Sequence, residues 1–525
     1  MVRLTIALVV ALTNVLTSGA ALLTSKAAVQ AAPPASSTLI FGKLFTSHMV
    51  FKADQPTPVW GFLPPASVVA VVFDGTILEP TTADANGLWL ITLPALPASA
   101  RPFTMSATSG ALSQNLTDVL FGVVIGCHGQ SNQDMPVSYA FNATSENATA
   151  ADYPLIRYAY ISPSLSNTPL SDFEGADFSG WQPANVAPYI MGWGAVCWFV
   201  GRDIADAFRA MGGDIPIGLF HAALGATPIQ AWTPLAGASA CVVPPNKQPE
   251  STLFNAMVSP LAVGPFAYTA VQWYQGEQNI GQDLYYTCAL PAFVTSWRET
   301  LRQPNLTFVV AQLHAFTEGF EAGPAIPLMR AAQLSLDLPY TGVVPNLDGG
   351  DPQASAGNIH PRGKQQPARR LANAILDLAL AIPRAWRAPR YASAAVVGGA
   401  ALAPNTVSID VTLDDASGGL TWVDPQFAGI LTNSSRCPID LGIKEESCAW
   451  FSLLLCVPNS ALDGTWVNAT ASLPGGAILR LTAPVPVGAT SVTACGTSNG
   501  GNSWPVVNVY AADSGLPLFP WNHTI

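Results

Sequence analysis

The sequence predicts an α/β protein in which a three-layer α/β/α domain with a parallel sheet is flanked by β-rich regions at both ends. Residues 38–118 contain short apolar stretches separated by turn residues, and residues 386–525 return to that pattern. Between them, residues 119–385 alternate apolar strand candidates with helical stretches. Such alternation favours a parallel sheet covered on both faces, whereas short strands between turns favour antiparallel β structure.

The first 32 residues have the pattern of a secretory signal peptide. Arg3 gives a positively charged start, an apolar stretch continues to Leu23, and small residues up to Ala32 suit a cleavage site. A membrane anchor is the alternative. Polar residues such as Asn14 interrupt the apolar stretch, and this favours a cleaved leader over an anchor.

Composition agrees with a secreted protein. Of the 525 residues, 49% are hydrophobic and 10% charged, and the net charge of −11 without a basic block argues against nucleic acid as a partner. Eight cysteines without a Cys-x-x-Cys pair favour disulfides of open connectivity. We therefore expect a glycosylated protein, secreted or in a lysosome-like or vacuole-like compartment, with no membrane span after leader removal. The Asn-x-Ser/Thr acceptors are Asn115, Asn142, Asn147, Asn305, Asn433, Asn468 and Asn522.

The N-terminal β region is predicted from three apolar stretches and the turns between them. The stretches are Thr57–Phe62, Ser67–Phe73 and Leu88–Leu93. Asp74-Gly75 and Asn86-Gly87 are turn dipeptides that break the apolar pattern. Short strands at this spacing indicate a small antiparallel domain.

The central region gives an ordered series of strands and helices. Its strand candidates are short apolar runs, and its helix candidates are longer and amphipathic or begin at proline. The strand candidates are Leu120–Ile125, Ile156–Ile161, Ile215–Phe220, Thr269–Tyr274, Thr307–Leu313 and Thr341–Leu347. The helix candidates are Val196–Met211, Ala292–Arg302, Pro327–Leu338 and Lys364–Ala381. The C-terminal strand candidates are Thr406–Thr412, Ile478–Leu481 and Ser491–Ala494.

Four of the central strands run into distinctive polar segments. Three of these segments begin at Gly129, Gly225 and Gln275, and the fourth is the loop that carries His360. Ligands bind beyond the carboxyl ends of strands in open α/β sheets, so all four segments are expected at one edge. The first segment contains Ser131, and a histidine near a serine can take its proton. The pattern therefore predicts a serine esterase.

Together the four blocks resemble the sialate O-acetylesterase family, within the SGNH hydrolases. The resemblance covers almost the whole chain after the leader. It implies an SGNH-type fold, removal of O-acetyl groups from sialic acids or related sugars, and no cofactor or metal. The blocks are Gly129-Gln130-Ser131-Asn132, Gly225-Ala226-Thr227-Pro228-Ile229-Gln230-Ala231-Trp232, Trp273-Tyr274-Gln275-Gly276-Glu277-Gln278-Asn279 and Ile359-His360-Pro361-Arg362-Gly363-Lys364-Gln365.

The resemblance also implies roles for individual residues. Ser131 would be the nucleophile, and His360 the general base and then the general acid. The backbone N–H groups of Ser131 and Gly225 would stabilise the oxyanion. A side-chain amide from Gln275 or Asn279 would supply a further donor.

Four further residues are expected to bind substrate. Gln130, Asn132 and Glu277 belong to the matching blocks. Arg330, on the helix predicted over Pro327–Leu338, could pair with a sialate carboxylate, although a solvated helix face is the alternative.

The carboxylate that would orient His360 is missing from its usual place. Many SGNH hydrolases have an aspartate three residues before the histidine, where this chain has Gly357. Asp351 is the first choice as a replacement. A Ser–His dyad assisted by a backbone carbonyl is equally allowed.

Three residues of the second block region also differ from the family pattern, and they leave the acceptor sugar open. Leu224, Ala226 and Gln230 stand where the family has tryptophan, glycine and glutamate. Acetylated xylan or another polysaccharide is the alternative substrate. A catalytically inactive glycan-binding protein is the alternative class.

Overall fold

The computed structural model describes residues 40–173, 178–186, 189–242, 250–317, 319, 325–397, 405–422, 426–427, 430–431, 448–449, 451–456, 465–485, 493–499, 504–505 and 509–524. The signal peptide expected over residues 1–32, and the acceptor Asn433, lie outside the described residues.

The strands and helices follow one another in three groups. The N-terminal group is β1 (Val50–Lys52), β2 (Thr57–Phe62), β3 (Val68–Phe73), β4 (Thr76–Ile77), β5 (Thr81–Thr82), β6 (Leu88–Leu93), β7 (Ser99–Ser109) and β8 (Leu112–Gly129). The central group is α1 (Ser131–Asp134), α2 (Ala143–Thr149), β9 (Ile156–Ile161), β10 (Phe178–Pro183), α3 (Ala195–Ala210), β11 (Ile217–Ala223), α4 (Leu235–Ala238), α5 (Thr252–Met257), β12 (Ala270–Tyr274), α6 (Asp283–Thr300), β13 (Thr307–Ala311), α7 (Ala325–Leu334), β14 (Thr341–Val344) and α8 (Gln365–Leu380).

The regular elements of the C-terminal group are strands throughout the described part of residues 386–525. They are β15 (Arg390–Val396), β16 (Thr406–Asp414), β17 (Leu420–Trp422), β18 (Gln426–Phe427), β19 (Ile430–Leu431), β20 (Cys448–Ala449), β21 (Ser452–Cys456), β22 (Thr465–Asn468), β23 (Thr470–Gly475), β24 (Ile478–Pro484), β25 (Thr493–Asn499), β26 (Trp504–Pro505), β27 (Val509–Ala511) and β28 (Trp521–Thr524). Short 3₁₀ turns join the elements at Val137–Tyr139, Ala150–Asp152, Ala184–Val186, Tyr189–Gly192, Ile229–Trp232, Ser259–Ala262 and Glu277–Asn279.

Strand β8 belongs to both the N-terminal β region and the central sheet. Its first half pairs antiparallel with β7, and its second half lies between β11 and β12. The pairing shifts register around Asp118, whose φ of 53° is left-handed. A bulge of this kind bends a strand and redirects it. The boundary expected between residues 118 and 119 thus falls inside one continuous strand.

The central sheet has the order β10-β9-β11-β8-β12-β13-β14. All neighbours from β9 to β14 are parallel, and β10 adds an antiparallel edge strand. From β8 the chain passes to β9 and the edge strand β10, returns to place β11 between β9 and β8, and then crosses to the other side, where β12, β13 and β14 follow in order. The carboxyl ends of β8, β11 and β12 therefore lie at the switch point where α/β proteins bind ligands.

Helices cover both faces of this sheet, which confirms the predicted three-layer class. The buried faces of α3 and α8 share one apolar core with one side of the sheet. The other side packs against α5, α6 and α7, in a core continuous with the N-terminal β region. One helix begins nine residues before the predicted start at Ala292. Helix α6 continues through Pro291, because the loss of one backbone hydrogen bond is outweighed by burial of its apolar residues on both sides of the proline.

The C-terminal β region has a core of its own and also touches the central domain. Its core is formed by residues of β16, β21 and β24. At the contact with the central domain, the Tyr510 hydroxyl donates to Asp348, 3.2 Å away.

Two disulfides lie in the central domain. Cys127 at the end of β8 is bonded to Cys197 in α3, and Cys241 is bonded to Cys288 in α6. The first pair ties the strand that leads to Ser131 to the helix packed behind it. Within the described part of the chain, no helix is both long and apolar enough to cross a membrane.

Candidate active site

The turn that carries Ser131 depends on a glycine. Gly129 ends β8 with a φ of 151°, and a methyl group on its Cα would lie 2.2 Å from the Tyr274 carbonyl oxygen. The next residue, Gln130, donates its N–H to that same oxygen at 3.1 Å. Only glycine allows this close approach of β8 and β12. Ser131 follows as the first residue of α1 and is half-buried.

The structure brings Ser131 and His360 together across 229 residues of sequence. The distance from Ser131 Oγ to His360 Nε2 is 2.9 Å. His360 Nδ1 lies 2.9 Å from the Ala356 carbonyl oxygen, which can only accept, so Nδ1 carries the hydrogen in the neutral ring. The unprotonated Nε2 then accepts the Ser131 proton. This is the arrangement that activates a serine.

Asp351 does not contact His360, contrary to the first choice from the sequence. Its fully buried carboxylate accepts from Arg362 Nε at 2.7 Å and Arg362 Nη2 at 3.0 Å. It also accepts from the backbone N–H groups of Arg362 and Gln353. A guanidinium fork binds a carboxylate through two parallel hydrogen bonds, so Asp351 is held by Arg362. The dyad with the Ala356 carbonyl is the alternative that the geometry supports.

A second carboxylate anchors the same loop further upstream. Asp348 accepts from Arg370 Nη1 at 2.7 Å and Arg370 Nη2 at 2.8 Å, and from Tyr510 of the C-terminal region. The loop before His360 is therefore pinned to α8 and to the C-terminal strands.

Gly225 lies beside the nucleophile. A methyl group on its Cα would lie 3.3 Å from Ser131 Cβ, so the two backbones approach closely. This is the proximity that two oxyanion donors require. The next residue, Ala226, has a left-handed φ of 56° and is exposed.

The side-chain amides of Gln275 and Asn279 are not available as oxyanion donors. Gln275 Nε2 donates to the Thr227 carbonyl at 3.2 Å and to Asn279 Oδ1 at 2.8 Å. Asn279 Nδ2 donates to Gln230 at 3.1 Å and Gln282 at 2.9 Å. An amide nitrogen has two hydrogens, so all four are used. These residues instead fasten the third block to the loop that follows Gly225.

Asn132 and Glu277, which were expected to bind substrate, are buried and hydrogen-bonded within the protein. Asn132 Nδ2 donates to Glu277 Oε1 at 2.6 Å and to the Ile359 carbonyl at 2.9 Å. Asn132 Oδ1 accepts from Lys364 Nζ at 2.5 Å. The expected contact with substrate is replaced by a polar cluster formed by Asn132, Glu277 and Lys364.

Gln130 and Arg330 are also interior residues. Gln130 is 2% exposed, and its Oε1 accepts the backbone N–H of Gln278. Arg330 is fully buried and donates to the carbonyls of Leu313 at 3.0 Å and His314 at 2.7 Å. A buried guanidinium in this position cannot meet a sialate carboxylate at the surface.

The electrostatics of the site are dominated by burial. Loss of hydration lowers the pKa of Lys364 to about 7 and raises the pKa of Glu277 above its ordinary value. Burial also lowers the pKa of His314 well below its ordinary value. The Tyr274 hydroxyl bridges His314 Nδ1 and Asn346 Nδ2.

Two other histidines near the nucleophile strand belong to the core. His128 is fully buried between the Ala222 carbonyl and the Tyr268 hydroxyl. His221 is 1% exposed and hydrogen-bonded to Tyr158. Burial lowers the pKa of both histidines to about 3, so they are neutral at physiological pH.

Sequence reasoning missed the roles of three residues around the dyad. Ala356 contributes only a carbonyl group, which has no signal in the sequence. Arg362 and Lys364 follow His360 at two and four residues, in a chain with only 10% charged residues. The clustering of these two cationic residues beside His360 was the sequence feature that could have indicated their roles.

Comparisons with known proteins identify the family of the chain. Residues 182–377 match the family of sialic acid-specific acetylesterases, which are carbohydrate esterases. The sialate O-acetylesterases of Homo sapiens and Pongo abelii are each 31% identical over 372 residues, covering 63% of this chain and 69% of theirs. A crystal structure of a carbohydrate acetylesterase from Xanthomonas citri is 26% identical with a TM-score of 0.72, covering 92% of this chain and 99% of that one. The chain therefore belongs to the sialate O-acetylesterase family of carbohydrate esterases.

Proposed function

We propose that this esterase removes O-acetyl groups from sialic acids or related acetylated sugars through an acetyl-Ser131 intermediate. The observation that carries the proposal is the 2.9 Å contact between Ser131 Oγ and His360 Nε2. The names of the relatives, sialate O-acetylesterase and carbohydrate acetylesterase, support the substrate class.

In the first half of the reaction, Ser131 Oγ attacks the acetyl carbonyl carbon and its proton passes to His360 Nε2. The negative charge on the carbonyl oxygen is stabilised by the backbone N–H groups of Ser131 and Gly225. The intermediate then collapses as His360 Nε2 returns the proton to the sugar oxygen, and the ester bond breaks. The Ala356 carbonyl holds Nδ1 throughout and keeps Nε2 directed at the serine.

In the second half, a water molecule takes the place of the sugar. His360 Nε2 removes a proton from the water as it attacks acetyl-Ser131. Collapse of this second intermediate returns the proton to Ser131 Oγ and releases acetate. Splitting hydrolysis into two steps is the advantage of a covalent nucleophile.

An acetylated polysaccharide such as xylan is the second candidate substrate. Arg330 was the cation expected to meet a sialate carboxylate, and it is buried on backbone carbonyls. Gln230, which replaces a family glutamate, is likewise buried and accepts a hydrogen bond from Asn279. An inactive binding protein is disfavoured because the dyad is assembled.

The test is acetate release from O-acetyl sialic acid, acetylated xylan and an aryl acetate. We expect turnover of at least one sugar substrate and its loss in Ser131→Ala. Turnover that persists in Ser131→Ala would overturn the mechanism. Activity on xylan alone would overturn the sialate assignment. Glycan binding without any turnover would favour the binding protein.

We further propose that the protein is secreted or resides in a lysosome-like or vacuole-like compartment. Two disulfides in the central domain support an oxidising compartment. Detection of the processed and glycosylated chain in the medium of expressing cells would test this proposal, and retention of an uncleaved chain in the cytosol would contradict it.

A further inference from the structure

A buried pair of opposite charges lies behind the dyad, joined by an amide. Asn132 stands between Lys364 Nζ, 2.5 Å from its Oδ1, and Glu277 Oε1, 2.6 Å from its Nδ2. Asn132 and Lys364 are fully buried, and Glu277 is 6% exposed. Burial of charge is costly, and replacement of a buried ion pair by apolar residues is often neutral or stabilising. The chemistry of the dyad does not by itself require these charges.

The charges determine which way the Asn132 amide faces. Its oxygen must meet the ammonium donor and its nitrogen must meet the carboxylate acceptor, so the flipped amide would lose both partners. In the orientation that remains, the second Nδ2 hydrogen is directed to the Ile359 carbonyl at 2.9 Å. This bond joins the residue after the nucleophile to the residue before the base.

The bond from Asn132 to Ile359 therefore runs beside the contact between Ser131 and His360. These two parallel contacts hold the nucleophile turn against the histidine loop. In a catalytic triad, a carboxylate bonded to the histidine would orient it instead. In this chain, Asp351 is occupied by Arg362 and His360 Nδ1 has only a backbone carbonyl. The orientation of the histidine must then come from its loop.

We propose that Glu277 and Lys364 are positioning residues, which act through Asn132 to hold Ser131 and His360 at reacting distance. The inference rests on the proposed esterase function and deepens it. The charged and titratable groups that face the pair are His360, His314, Tyr274, Tyr286 and Asp351.

The test is the steady-state kinetics of Glu277→Gln and Lys364→Met on an aryl acetate, with activity expressed per folded molecule. Glu277→Gln keeps the shape of the side chain and removes its charge, whereas Lys364→Met removes the ammonium group and leaves an unbranched side chain one atom shorter. We expect kcat to fall about 10- to 100-fold with KM unchanged within about twofold, because small displacements of reacting groups cost that much. An ion pair of the C-terminal region supplies the matched control, Arg480→Met, which removes the partner of Asp410 and should leave kcat unchanged.

The double variant Glu277→Gln/Lys364→Met separates positioning from simple packing. If the pair acts as one unit through Asn132, the double variant should lose no more kcat than either single variant. It also leaves no lone buried charge, so it should fold even where a single variant does not.

Three results would overturn the inference: an unchanged kcat in the folded variants, losses that multiply in the double variant, or a rise in KM alone. A wild-type enzyme without hydrolysis would instead refute the proposed function. If the wild type is active and Ser131→Ala is inactive, the proposed function is supported, whatever the Glu277 and Lys364 variants show.

Discussion

Asp351 provides the sharpest test of how His360 is oriented. The change is Asp351→Asn, which keeps the shape of the side chain and removes its charge. In the structure this carboxylate makes four hydrogen bonds, three of them to Arg362 and one to Gln353. An asparagine can accept on one oxygen only, and its NH₂ group would face the guanidinium.

The expected cost is in stability more than in turnover. Removing one partner of a buried ion pair typically costs about 3–5 kcal/mol. Arg362 keeps 27% of its side chain exposed, so part of its hydration is retained and we expect the low end, about 3 kcal/mol. Because His360 Nδ1 is bonded to Ala356 instead, kcat of the folded enzyme should fall by about tenfold or less.

The assay combines chemical unfolding with kcat on an aryl acetate for three variants. Arg362→Gln is the matched control, since it breaks the same pair from the other side. Arg362→Gln should lose at least as much stability as Asp351→Asn, because the partner it leaves behind, Asp351, is fully buried, and the double variant should be no worse than Arg362→Gln. A drop in kcat of about 10⁴ in Asp351→Asn, with Arg362→Gln near wild type, is the behaviour of a triad carboxylate and would refute the reasoning.

Three further predictions concern stability. Ala226→Gly should raise the free energy of unfolding by roughly 0.5–1 kcal/mol, because the left-handed φ of 56° is unfavourable for alanine; lower stability in urea unfolding would contradict this. Replacing Cys127 and Cys197 together by alanine should cost about 4 kcal/mol in the same assay, since their disulfide closes a loop with a sequence separation of 70; a cost below about 1 kcal/mol would exclude that loop-entropy effect. Stability should also fall with pH below 6.5. His128 and His221 have folded pKa values of about 3, so the unfolded chain takes up protons first, and each histidine should cost about 2 kcal/mol between pH 6.5 and 5. The pKa of His314 is also lowered well below its ordinary value by burial, so His128→Gln should remove about a third of this dependence, and an unchanged slope would contradict it.

The fold was accessible from the sequence because strands and helices of the central domain have distinct apolar periods. The bounds of β9 and β2 were predicted without error, and α3 and α8 within a residue or two at each end. Helix α6 was predicted too short, because a proline such as Pro291 is typical of the start of a helix. In the structure, burial of apolar residues on either side of Pro291 keeps the helix intact. The antiparallel strand β10 carried no comparable pattern.

The roles of some residues of the site could be predicted from the sequence, and the roles of others could not. Ser131 and His360 stand in ordered blocks at strand ends, and a parallel sheet brings such ends together. The partners of Gln275, Asn279 and Glu277 were not predictable, since an amide or carboxylate can bind substrate or protein equally well. Which of these it does depends on neighbours that are far away in sequence.

Strand β8 has a consequence for the evolution and engineering of this chain. Its residues pair with β7 at one end and carry the nucleophile turn at the other, so the N-terminal region is not an exchangeable module. A fragment that began at residue 119 would expose the middle of a strand, and a graft at that point would have to preserve the bend at Asp118. None of the reacting groups described above lies in the N-terminal region. The position of Ser131 nevertheless depends on β8, which pairs with strands of both regions.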